Sequence, residues 1–145
     1  MDGLINSLRG LLADVVALYF RAHGHHWNIE GPDFAQYHGL FGDIYEDIYG
    51  SIDPLAENIR KLGEFAPFRL DRILELKTLP DNSRTMNDAK SLAKDLLEGN
   101  EFLIGQLKAV FKVADSLDEQ GVANFIADRI DMHQKWSWQL KASVK

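Results

Sequence analysis

Leu4, Leu8, Leu11, Leu12, Val15, Tyr19 and Phe20 recur at three- and four-residue steps, the spacing of one face of an amphipathic helix. That pattern predicts a first helix over about residues 3–28, stopped by Gly31 and by Pro32, which cannot continue the hydrogen-bond ladder. Asp33 stands as the N-cap of a second helix reaching about Leu62, with Gly63 as its stop. Phe34, Phe41, Ile48, Leu55 and Leu62 fall at strict seven-residue spacing, with Tyr37 and Ile44 between them, so this stripe is assigned to the core. Pro54, deep in that helix, removes one backbone donor and is expected to kink it just after Asp53.

Phe68 to Leu76 predicts a short connecting helix, and the composition of Thr78 to Met86 predicts a loop. A third long helix follows at about 87–114, with Leu92, Leu96, Leu103, Leu107 and Val110 inward. A fourth spans about 119–142. Four long helices without a strand signal make an all-α four-helix bundle, one domain over residues 1–145. A long crossover carrying the short helix links helices two and three.

Composition narrows the chemistry. The absence of cysteine excludes a disulfide scaffold and any thiolate metal site. The chain opens without a basic leader region, and the apolar stretch Leu11–Phe20 is interrupted by Asp14 and too short to span a bilayer. A soluble, cytoplasmic protein without a membrane partner is the expectation. The net charge of −6 lies entirely in residues 1–60, which hold nine acids, three arginines and no lysine. Between Arg21 and Arg60 there is no cationic side chain, yet seven acids and four of the five histidines stand there. Such a segment attracts cations, or is simply a solvated acidic face.

Motifs for zinc proteases, phosphate loops, dinucleotide folds and hydrolase elbows are absent. So is the Glu-x-x-His pair of the carboxylate-bridged di-iron bundles. What remains is His23, His25, His26, His38, Asp53 and Glu57. Asp53 and Glu57 are four apart and share a helix face, about 6 Å from each other along the axis. His38 points roughly the same way, but lies about 22 Å from Asp53 along the helix. The two cannot bind one ion within a single chain. They can if two chains pair their second helices antiparallel about a two-fold axis near residue 46, giving two identical sites per dimer. His26 could join His38 across the Gly-Pro turn. Mixed imidazole and carboxylate donors suit iron or zinc rather than calcium or magnesium.

The run LYFRAHGHHWNIEGPDFAQYHGLF, followed by DPLAENIRKLG and the ending HQKWSWQLKASVK, resembles the Dps family, the mini-ferritins of the ferritin-like superfamily. The likeness covers essentially the whole chain. It implies a ferritin-like bundle assembled into a hollow homododecamer that oxidises Fe(II) with peroxide or oxygen at sites on the two-fold interface and stores the ferric mineral. That activity is ferroxidase, a protection against oxidative damage. His26 matches the histidine of His-Trp-Asn, His38 the second histidine, and Asp53 and Glu57 the carboxylates supplied by the partner chain. Trp27 matches the tryptophan beside the site, and also reads as a core aromatic at a helix end.

One position departs from the pattern. The family has Asp or Glu four residues after the second histidine, and here Gly42 stands there. Asp43 is rotated about 100° from that position, and Glu46 lies about 12 Å from His38. His23 or His25 are the other neighbours that could compensate. The alternative is therefore a cage with weakened or lost ferroxidase activity, structural or DNA-protective. DNA binding itself is disfavoured: no lysine-rich tail is present, and twelve copies would carry about −72. By location, Asp118, Glu119, Asp128 and Asp131 are the acids that the resemblance would place at a three-fold metal channel, or solvated acids near a helix start.

Overall fold

The computed structural model describes residues 1–82 and 85–145. Five helices follow one another: α1 (Asp2–Asn28), α2 (Phe34–Lys61), the short α3 (Leu70–Leu76), α4 (Ala89–Ser116) and α5 (Gln120–Ser143). The described residues contain no strand, only one isolated parallel bridge between Glu30 and Asp88. Each long helix begins and ends within two residues of its predicted bounds. The predicted loop over Thr78–Met86 is irregular where described; its residues 83–84 lie outside the described residues.

The stops act as the sequence implies. Gly63 has a φ of 93°, a left-handed conformation that glycine adopts at no steric cost, and its N–H closes the helix end on the Arg60 carbonyl. Gly31, at φ 121°, turns the chain between α1 and α2. Asp33 occupies the N-cap position of α2, but its side chain makes no capping bond. Asp88, in contrast, accepts from the Ser91 N–H and caps α4. α2 runs unbroken through Pro54. The carbonyl that loses a donor there belongs to Gly50, which is solvent-exposed.

α1 packs along α2, α4 along α5, and the two pairs join chiefly through α1 and α4. Phe41, Ile44, Ile48 and Leu55 of α2 are buried in the core, as are Leu92, Leu96, Leu103, Leu107 and Val110 of α4. The two ends of the predicted α2 stripe depart from it. Phe34 remains 43% exposed and Leu62 half-buried, because they sit at the first turn and the C-cap, where the neighbouring helices no longer cover the stripe. α1 as a whole has the length and apolar composition of a membrane span, which Leu11–Phe20 alone does not. In the bundle its apolar face forms the core, and Asp14 on it is buried among polar partners.

Those partners fix the crossover. The Asp14 carboxylate accepts from the Thr78 N–H at 2.7 Å, the Thr78 hydroxyl at 2.7 Å and the Leu79 N–H at 2.8 Å. At the other end of the crossover, Arg9 donates to the Phe65 carbonyl. Asp14→Ala strands two backbone donors beside the buried Leu79. It is expected to cost about 2 kcal/mol of unfolding free energy, read by urea titration, with faster exchange of the Thr78 and Leu79 amides.

Candidate metal centre

The short α1–α2 turn folds the C-terminal end of α1 back on the first turns of α2, bringing His26 against His38. Their rings stack at 3.6 Å between centroids with 19° between planes. Each also faces the other's backbone: His26 Nδ1 lies 2.7 Å from the His38 carbonyl oxygen, and His38 Nδ1 lies 2.7 Å from the His26 carbonyl oxygen. A carbonyl oxygen can only accept, so both Nδ1 atoms donate and carry the proton. In a neutral ring the lone pair is then on Nε2, and neither Nε2 has a hydrogen-bond partner among the described residues. Two imidazoles with fixed tautomers and free Nε2 atoms are the arrangement metal-binding histidines require.

Aromatic side chains hold this pair in place. Phe34 stacks on His38 at 4.7 Å, which explains why this residue faces outward rather than into the core. Sequence periodicity alone placed Phe34 in the stripe and so missed it. His23 lies beside the imidazole pair, its ring centroid 5.9 Å from that of His26. It stacks flat on Tyr45, 3.8 Å between centroids and 6° between planes, beside Trp27 at 4.2 Å. Its Nδ1 lies 2.8 Å from the Tyr19 hydroxyl. Loss of solvent, and then the nearby His26, push the His23 pKa down, while loss of solvent pushes the Tyr19 phenol up. Trp27 is 58% exposed next to the site, so the core-aromatic reading of it does not hold.

His25 points elsewhere. Its Nε2 lies 2.7 Å from the Asp95 carboxylate, which also accepts from Asn82 and stands beside the Arg21 guanidinium. Those bonds hold the Asp95 carboxyl below the usual carboxylate range against the opposing effect of burial. Arg21 also donates to the Pro80 carbonyl. His25 thus tethers α1 to α4 and cannot replace the acid missing at position 42. Asp43 is exposed on α2.

Asp53 and Glu57 lie exposed on the far half of α2, without a hydrogen-bond or ion-pair partner among the described residues. Asp53 borders an apolar groove of about 570 Å³ lined by Leu12, Val16, Tyr49, Ile52, Ala56 and Leu70. α3 buries none of its residues: Leu70 is 79% exposed, and Phe68 just before it 85%. Because α2 is continuous, His38 and Asp53 stay about 22 Å apart along it. Among the described residues, no three histidines or acids of one chain come together as a metal-holding group. Asp118, at φ 57°, forms the α4–α5 turn, Glu119 takes the N-cap position of α5, and Asp128 and Asp131 are exposed along α5.

A four-helix bundle with one long crossover is the architecture of a ferritin-like protein, and the family model for the ferritin-like domain matches residues 5–145. A DNA protection during starvation protein from Brevibacillus brevis is 31% identical over 138 residues, covering 92% of this chain and 89% of that one. An uncharacterised low temperature-induced protein from Nostoc sp. is 30% identical over 145 residues, 99% of this chain and 81% of its own. The crystal structure of the Dps protein from Vibrio cholerae O1 superposes with a TM-score of 0.93 at 29% identity, covering 99% of this chain and 90% of that one. That protein is described as a member of a broad superfamily of ferritin-like diiron-carboxylate proteins. The chain belongs to the Dps family.

Proposed function

We propose that the protein oxidises Fe(II), with peroxide as the favoured oxidant, at sites shared between two chains, and stores the ferric product inside a cytoplasmic dodecameric cage. The observation that carries this reading is the division of donors: two fixed imidazoles at one end of the exposed α2 face, and two unpartnered carboxylates at the other. Pairing two α2 helices antiparallel places His26 and His38 of one chain opposite Asp53 and Glu57 of its partner. The apolar groove beside Asp53 and the bare side chains of Phe68 and Leu70 supply a surface such a pairing would cover.

The donor set fits Fe(II) as substrate, and zinc fits the same donors. The imidazoles hold the ion through Nε2, and the carboxylates neutralise its charge and favour the ferric product. Each peroxide takes up two electrons, one from each of two ferrous ions, and its O–O bond breaks to give two hydroxides; the four donors need hold only one of the two ions. Protein supplied with Fe(II) and peroxide should form a soluble ferric core faster than buffer does. A rate equal to buffer would remove this reading. Gly42 favours the second one, a cage whose chemistry is lost: it predicts the large particle by light scattering with iron oxidation at the background rate.

A further inference from the structure

Gly42 is not simply a missing ligand. A Cβ built there would lie 3.3 Å from both Cε1 and Nδ1 of His26 and 4.0 Å from the Tyr45 ring, whereas Gly39 and Gly50 of the same helix have nothing within 4 Å. Glycine inside a helix costs roughly 1 kcal/mol relative to alanine, so a mid-helix glycine packed this closely has a steric reason. The His26 ring occupies the space that a side chain at position 42 would use. It is fixed there by its bond to the His38 carbonyl and by stacking on the His38 ring.

From this packing we infer that Gly42 sets the metal count, so that each inter-chain site takes one divalent cation rather than two. The inference rests on the shared site proposed above. The pairing proposed there would supply four donors, two Nε2 atoms and two carboxylates, which suffices for one four-coordinate ion. A second ion needs another donor on the His38 face of α2, one turn on, where Gly42 offers none and where a Cβ would press on the His26 ring at 3.3 Å. Asp43 points about 100° away from that position, and Glu46 lies about 12 Å from His38 along the axis. His25 is bound to Asp95, and His23 Nδ1 is hydrogen-bonded to the Tyr19 hydroxyl.

Co(II) binding to the metal-free assembled protein tests this, by calorimetry together with electronic absorption. The ions counted are those lost in a His38→Ala variant. The expected result is one Co(II) per chain, displaced one for one by Zn(II). Gly42→Glu, whose longer chain can pass the ring and add a carboxylate, is expected to bind two per chain. Gly42→Ala adds the Cβ without a donor, so it should keep one ion per chain with roughly tenfold weaker affinity. Circular dichroism checks that both variants fold. Two ions per chain in the wild type would overturn the inference, as would one or none in folded Gly42→Glu. No histidine-dependent binding in the wild type would instead remove the shared metal site itself, and the inference with it.

Discussion

Asp47→Ala is expected to lower the unfolding free energy by about 3 kcal/mol, the cost of stranding the charged donors of a partly buried ion pair. The Asp47 carboxylate receives two bonds from the Arg129 guanidinium, at 2.9 and 2.8 Å, and one from the Trp136 indole at 2.7 Å. Removing it leaves a cation and an indole N–H without an acceptor at the contact between α2 and α5. The network runs deeper. Arg129 also donates to His133 Nε2 at 3.0 Å, and His133 Nδ1 donates to the Asn100 side-chain oxygen at 2.7 Å. Asn100 in turn donates to the His133 carbonyl and the Ser137 hydroxyl. The network ties α2, α4 and α5 together, and no histidine in it is free to bind metal.

This network also makes stability fall with pH in a defined window. Burial, and then the Arg129 charge, push the His133 pKa down to about 3, with Asp47 opposing. The unfolded chain binds the proton near pH 6.5 and the folded chain does not, so stability is full above about 6.5 and is lost as pH drops toward 3. The slope within the window is about 1.4 kcal/mol per pH unit. Asp47 adds to the loss at its lower edge: its bonds to Arg129 and Trp136 hold its carboxyl below the usual range. Urea titrations between pH 7.5 and 4 read this slope, and His133→Gln should flatten it even where it lowers stability at neutral pH.

The second large effect concerns iron. His38→Ala and Asp53→Ala should each slow Fe(II) oxidation by more than tenfold, toward the rate in buffer. Loss of a group that merely orients a ligand already costs roughly 10- to 100-fold in affinity or activity. Neither variant should unfold the chain, because His38 is half-buried at the open end of the bundle and Asp53 is exposed. Light scattering separates loss of chemistry from loss of assembly. Were both variants as fast as wild type, the site would lie elsewhere.

Most of the fold was legible because its elements are long and their apolar period is unbroken. Helix stops at Gly31 and Gly63 need only local backbone chemistry, so the sequence located them well. What periodicity could not resolve was the end of a stripe: Phe34 keeps the seven-residue spacing yet turns outward to stack on His38. For His38 and Asp53 to hold one ion, their spacing on one helix requires a second chain, and that much was readable from the sequence. The fate of the other histidines was not legible, since it depends on residues distant in the chain. His25 is claimed by Asp95, seventy positions away, and His133 by Asn100 and Arg129. Gly42 read as an absence, because only three dimensions show that the His26 ring fills the space above it.

The central claim is that one chain's histidines act with another chain's carboxylates, and mixed assembly tests it most directly. His38→Ala and Asp53→Ala chains, each inactive alone, are dissociated, combined in equal amounts and reassembled. Random pairing makes half of the dimers mixed, and a mixed dimer holds one complete site and one lacking both residues. The account predicts that the mixture regains about a quarter of the wild-type rate of Fe(II) oxidation. A mixture no faster than its two components, once mixed dimers are shown by mass spectrometry, would contradict it.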